Sequence, residues 1–96
     1  MIRHVVYFKF KPDVTAHERE SALAMLRALP DKIAFIRGFE VGLDVLRSPR
    51  SWDGVLIATF DDLDALGNYA RHGDHLPVVM RIQSLCDAIG SVDFEV

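Results

Sequence analysis

The sequence lacks a second cysteine, a long apolar run, a leader pattern and an excess of basic residues. Cys86 is the only cysteine among 96 residues, which excludes an internal disulfide and is typical of a reducing compartment. No apolar stretch approaches the roughly 20 residues that cross a bilayer, and the first residues lack a signal-peptide pattern. We therefore expect a cytoplasmic protein that does not associate with membranes.

The charge balance is mildly acidic. The 11 Lys and Arg against 14 Asp and Glu give a formal net charge of −3, which argues against a nucleic-acid partner because such binding surfaces are basic. A glycine-rich phosphate or dinucleotide motif is missing. The histidines and acidic residues do not follow the spacing of a strong metal motif. We predict no nucleic-acid partner, no bound cofactor and no metal site.

Apolar residues, in contrast, are abundant. They make up 50% of a chain whose length suffices for one core, so residues 1–96 are expected to form a single domain. This is more apolar surface than one small core can readily cover. The surplus must lie where a second surface can bury it.

Hydrophobic periodicity predicts an alternation of strands and helices. The predicted elements are a strand over 2–10, a helix over 16–29, a strand over 36–46, a strand over 54–60, a helix of about eleven residues capped by Asp61 and ending near His72, a helix from Pro77 that Gly90 stops, and a strand over 91–96. Thr15 and Glu18 have the spacing of a capping box at the first helix. Cys86 is placed on the apolar stripe of the last helix and is expected in the core.

This element order predicts an α+β fold of the ferredoxin-like, split βαβ type. Its four-stranded antiparallel sheet has the first and third strands at the centre, and its helices cover one face. The central strands are apolar on both faces, so the other face also needs a cover. A second copy of the chain supplies one with symmetry, and we predict a homodimer in which two sheets face each other as a dimeric α/β barrel.

The densest group of reactive side chains is the segment over 69–75. Tyr69 and His72 are three residues apart on one predicted helix and share a face. His75 precedes the next helix, where both the helix dipole and burial favour the neutral imidazole that a general base requires. A tyrosine hydroxyl nearby can donate a hydrogen bond to a developing oxyanion. Helix caps or surface groups are the alternative interpretation of the same histidines.

His4 lies on an apolar strand face together with Val6 and Phe8. A buried imidazole there needs a partner. It is either a core histidine bonded to a backbone carbonyl or a polar group that lines a pocket. His17, on the first helix, is expected at the surface, and Trp52 either covers the strand hairpin or borders a pocket.

Three segments resemble a known family. They are IRHVVYFKFK over 2–11, FEVG over 39–42 and YARHGDH over 69–75. In their order and spacing they resemble the stress-responsive dimeric α/β-barrel (Dabb) family, including its olivetolic acid cyclase-like members, over nearly the whole chain. The resemblance implies a ferredoxin-like protomer and a homodimer whose two sheets form the barrel.

The resemblance also implies a chemistry. In the cyclase-like members a tyrosine and a histidine close a linear polyketide by an intramolecular aldol condensation without a cofactor, and these carry over to Tyr69 and His75. The strand histidine that lines their pocket carries over to His4. The family commonly has His-Pro-x-His where this chain has Gly73 and Asp74, and glycine loosens the turn that proline would stiffen.

The sequence therefore predicts a small-molecule-binding dimer with His75 and Tyr69 as catalytic residues. Residues expected to bind the ligand are His4, Val6, Phe8 and His72. The leading function is a cofactor-independent cyclase or lyase that acts on a small apolar carbonyl or polyketide-like compound. The alternatives are a non-catalytic stress-responsive binding or structural dimer, and a cofactor-free monooxygenase or isomerase.

Overall fold

Four strands and four helices make up the chain in a computed structural model that describes residues 1–96. In chain order they are β1 (Ile2–Phe10), α1 (Ala16–Arg27), α2 (Leu29–Lys32), β2 (Gly38–Leu43), β3 (Gly54–Phe60), α3 (Leu63–Ala70), α4 (Leu76–Leu85) and β4 (Cys86–Glu95). The strands form one antiparallel sheet in the order β2-β3-β1-β4. The ferredoxin-like α+β fold is confirmed, with the first and third strands at the centre.

One face of this sheet carries the core. Successive side chains of a strand point to opposite faces, so Phe8 and Phe10 of β1 lie on the same side as Leu56 and Phe60 of β3. The helices cover that side. Their buried apolar side chains include Ala22, Leu23, Leu26, Leu29, Tyr69, Val78, Ile82 and Leu85.

The opposite face has no cover within the chain. Val5 and Tyr7 of β1 lie on it, and Val92 and Phe94 of β4 continue it at the strand edge. The side chains of Val92 and Phe94 remain 52% and 42% exposed. The apolar surplus of the composition therefore lies on the second face of the sheet, as predicted.

Several element boundaries differ from the predicted ones. The predicted helix over 16–29 is two helices, because Pro30 fits the first turn of a new helix rather than ending the old one. The second strand is shorter than the predicted 36–46. The third helix is capped by Asp62, whose carboxylate accepts the Ala65 N–H at 2.8 Å, while Asp61 pairs with Arg37 instead.

The largest difference is at the carboxyl end. The predicted helix through Ile89 ends at Leu85, and β4 begins at Cys86 instead of Ser91. The full length of β1 is available as a pairing partner, and the ladder runs from Ile2 opposite Glu95 to Phe10 opposite Cys86. Backbone pairing along that edge outweighs the helical spacing of the sequence.

Gly90 is therefore a strand residue and not the stop of a helix. A Cβ atom at this position would lie 2.5 Å from Cε2 of Tyr7. Glycine here allows the tyrosine ring to lie flat over the neighbouring strand.

Candidate functional site

A cavity of about 260 Å³ lies between the covered face of the sheet and α4. Its lining is mostly apolar and consists of His4, Val6, Phe8, Leu26, Leu56, Tyr69, His75, Val78, Val79, Ile82, Gln83, Ile89, Gly90 and Ser91. An apolar cavity of about 150 Å³ is enough to bind benzene. This one has room for a ring-sized or short-chain molecule with a polar group.

The register of the sheet orients the cavity. Along β1 the lining passes from His4 through Val6 to Phe8, while Ser91 and Ile89 of β4 lie opposite Val6 and Phe8. The distance along the strand from His4 to Phe8 is about 13 Å at the usual rise per residue. The cavity therefore has a polar end at His4 and an apolar end at Phe8.

Tyr69 of α3 forms part of the polar end. The residue is only 1% exposed, and burial raises the pKa of its phenol to about 12. Its hydroxyl makes no hydrogen bond to another protein group, yet it is not sealed from the cavity. A phenol in this state keeps its proton at neutral pH and can donate a hydrogen bond to a ligand.

His75 lies beside Tyr69, with the ring centroids 4.1 Å apart. It occupies the N-cap position of α4, which begins one residue before the predicted start at Pro77, and its Nδ1–H donates to the Ala70 carbonyl oxygen at 3.3 Å. Burial lowers the pKa of the imidazole and outweighs the opposing effect of that hydrogen bond. His75 is therefore neutral at pH 7, with Nε2 as the unprotonated nitrogen.

His4 also belongs to the polar end, with its ring centroid 6.1 Å from that of Tyr69. Its Nδ1 forms a hydrogen bond with the carboxylate of Asp93, directly opposite on β4. Of the two predicted positions for His4, the structure has the one that lines a pocket. The partner of His4 is a carboxylate instead of a backbone carbonyl. Sequence reasoning missed Asp93, although pairing of β1 with a longer β4 would have placed it opposite His4.

The structure thus brings five of the six predicted site residues to one cavity. His4, Val6, Phe8, Tyr69 and His75 line it.

His72 is the exception, because the structure does not place it in the predicted ligand pocket. Its ring packs 6.2 Å from that of Phe35, and its Nδ1 accepts the Asp74 N–H at 3.1 Å. His72 lies just beyond the end of α3, the helix that carries Tyr69, at a point where the chain turns. That turn directs the ring towards Phe35 and away from the cavity.

The other residues singled out in the sequence lie elsewhere. Trp52 packs edge-on against Tyr7 at 4.7 Å and under the ammonium group of Lys9, so it covers the hairpin and does not border the cavity. His17 is exposed. No group of three or more His, Cys, Asp and Glu side chains converges to hold a metal ion. None of the helices is long and apolar enough to span a membrane.

Comparisons with known proteins agree with this architecture. The family model described as the stress responsive A/B barrel domain matches residues 2–96. A stress-response A/B barrel domain-containing protein of Arabidopsis thaliana is 30% identical over 95 residues, which cover 98% of this chain and 36% of that protein. The chain thus spans about a third of the length of this relative.

Solved structures share the fold. A dimeric ferredoxin-like protein of unknown function from Bacteroides fragilis is 32% identical, with a TM-score of 0.83 over 99% of this chain and 95% of that one. A hydroxynitrile lyase from Passiflora edulis has a TM-score of 0.89 over 99% of this chain and 92% of its own, at 14% identity. The second likeness concerns the fold alone.

Proposed function

The chain belongs to the stress-responsive A/B barrel domain family, and from this premise we propose that it binds a small carbonyl compound and moves a proton at the carbon next to the carbonyl group. One observation carries the proposal. The Tyr69 hydroxyl has no partner in the protein, and the rings of His4 and His75 both lie near the Tyr69 ring at the polar end of an apolar cavity. The fold by itself does not select a function.

The chemistry follows from the two side chains. The Tyr69 hydroxyl donates a hydrogen bond to the carbonyl oxygen, and Nε2 of His75 accepts the proton from the adjacent carbon. The electron pair of the broken C–H bond moves onto the oxygen as an enolate, whose charge the phenol stabilises. The pair stays within the substrate, so the step needs no oxidant or reductant.

The apolar end selects the body of the ligand. Val6 and Phe8 form the floor below the wall of α4, so the ligand is a carbonyl compound with a short alkyl or aryl part. An enolate held in this way attacks a second carbonyl group in a cyclase reaction, and it is released when a carbon–carbon bond breaks in a lyase reaction. His4 and Tyr69 hold the carbonyl group of the ligand in both the cyclase and the lyase reaction.

A homodimer is the second part of the proposal. Val92 and Phe94 are half exposed on the uncovered sheet face of the single chain, and the similar protein from Bacteroides fragilis is described as dimeric. Two such faces in contact would remove this apolar surface from water. A dimer that binds the ligand without converting it is the non-catalytic form of the same proposal.

The experiment is exchange of the methyl protons of acetophenone for deuterium in D₂O, followed by proton NMR. We expect Tyr69→Phe and His75→Ala each to lower the protein-catalysed exchange by about 10²-fold or more. His17→Ala, the same substitution on the exposed face of α1, keeps the wild-type rate. Because burial lowers the pKa of His75 from its ordinary 6.5, the midpoint of the fall in rate on acidification should lie below pH 6.5.

Two results separate the alternatives. Binding of acetophenone without exchange supports the non-catalytic dimer. Exchange that both Tyr69→Phe and His75→Ala retain contradicts the assigned roles.

A further inference from the structure

We propose that His4, backed by Asp93, is the proton donor of this cavity and the counterpart of His75, which accepts the proton. The inference rests on the proposed function and deepens it. It assigns the second proton that any carbon–carbon bond formation or cleavage at a carbonyl group must move.

Strand register brings the His4 and Asp93 side chains together. His4 and Asp93 are directly opposite each other on β1 and β4, on the face that the helices cover. An ionised carboxylate can only accept a hydrogen bond, so Nδ1 of His4 carries the hydrogen in their contact. Nε2 is then the nitrogen with which His4, whose side chain is 16% exposed, can exchange a proton with a ligand.

The surroundings of His75 differ from those of His4. The Nδ1–H of His75 donates to the uncharged carbonyl of Ala70, and the ring lies at the start of α4, where the helix dipole opposes a positive charge. A carboxylate at Nδ1 instead stabilises the imidazolium that forms when the other nitrogen is protonated. Two titratable groups in one site with opposite surroundings mark the acid and the base.

The neighbours of His4 fit this division. The titratable groups near it are Asp93 on β4, Tyr69 on α3 and His75 before α4, and Phe60 of β3 packs against the ring at 6.4 Å. Tyr69 is near both imidazoles, with its ring centroid 6.1 Å from that of His4 and 4.1 Å from that of His75. A substrate bound to the Tyr69 hydroxyl thus has two different imidazoles nearby in the same cavity.

Two protons move in the bond-forming direction. His75 takes the proton from carbon, and the enolate carbon forms a bond to a second carbonyl carbon, whose C=O electron pair becomes an alkoxide. The alkoxide takes the proton from Nε2 of His4 and leaves a neutral imidazole on Asp93. In the bond-breaking direction neutral His4 takes the hydroxyl proton, and protonated His75 returns one to the enolate carbon.

Cleavage of the aldol adduct of acetone and benzaldehyde tests the assignment, with release of benzaldehyde followed by absorbance. We expect His4→Gln and Asp93→Asn each to lower cleavage by about 10²-fold. The double variant should be no slower than either single one, because the two residues act as one unit. Acetophenone exchange, whose proton transfer uses Tyr69 and His75, should fall far less than cleavage in all three variants, because His4 affects exchange only through its contact with the ligand.

Glu95→Gln is the matched control. It removes a carboxylate from the same face of β4, two residues beyond Asp93 and outside the cavity lining, and it should leave both reactions unchanged. Loss of a proton donor lowers the cleavage rate much more than the exchange rate. Loss of a pair with only a structural role would lower both rates together.

Four outcomes overturn the inference. They are cleavage at the wild-type rate in Asp93→Asn, losses that add in the double variant, exchange that falls in parallel with cleavage, and a wild-type protein that exchanges protons but does not cleave the adduct. The last leaves the proposed function standing. A wild-type protein that does neither also overturns the inference, together with the catalytic form of the proposed function.

Discussion

Gly54→Ala should destabilise the protein through one buried ring. A Cβ atom at Gly54 would lie 2.5 Å from Cε2 and 2.7 Å from Cζ of Phe8, and 3.3 Å from the carbonyl oxygen of Gly42. Phe8 is 1% exposed and packs edge-on against Phe10 at 5.4 Å. The ring can retreat only by displacing the core or by entering the cavity that it lines.

Overpacking of a core in this way costs about 1–3 kcal/mol. In a domain of this size each kcal/mol lowers the melting temperature by roughly 4–8 °C, so Gly54→Ala should melt about 4–24 °C below the wild type. The assay is thermal and urea unfolding followed by far-UV circular dichroism. All variants are compared at one protein concentration, because association adds to apparent stability.

Gly42→Ala is the matched control. This glycine is on the neighbouring strand β2, and a Cβ atom there would meet no atom within 4 Å. Its unfolding free energy should stay within about 0.5 kcal/mol of the wild type. Equal stability of the two variants would refute the argument from the Phe8 ring.

Two further predictions concern stability at low pH and assembly. Burial of Asp53 acts to raise its pKa, but hydrogen bonds from the Phe10 N–H and the Arg47 guanidinium outweigh it and lower the pKa below 3.8. That stabilisation is complete above about pH 4 and is lost as the pH falls through the folded-state pKa. Asp53→Asn should therefore lower the free energy of unfolding by about 1–3 kcal/mol at pH 7, and by progressively less in urea titrations below pH 4. A difference from the wild type that is independent of pH would contradict this. Phe94→Glu should reduce the mass measured by light scattering from two chains to one, whereas Leu63→Glu, an exposed leucine on α3, should leave two; equal masses would count against the proposed sheet-to-sheet interface.

The site illustrates how far sequence patterns reach. Tyr69 and His75 are six residues apart in one local segment, so their proximity follows from a helix end and a short turn. Asp93 is 89 residues from His4, and its role depends on the pairing of two strands. The predicted helix extended the spacing of Val78, Ile82 and Leu85 into residues that form β4. It therefore hid the register of β4 against β1.

The sequence by itself determined which strands are central, because only β1 and β3 are apolar on both faces, and it located the apolar surplus on the uncovered face. The capping box at Thr15 and the start of α4 beside His75 are also local properties of the chain. Only the tertiary structure decided that His4 meets Asp93, that the rings of His4 and His75 both lie near Tyr69, and that His72 turns to Phe35. These contacts depend on the register of β4 against β1 and on how α3 and α4 pack on the sheet, and no local pattern specifies either.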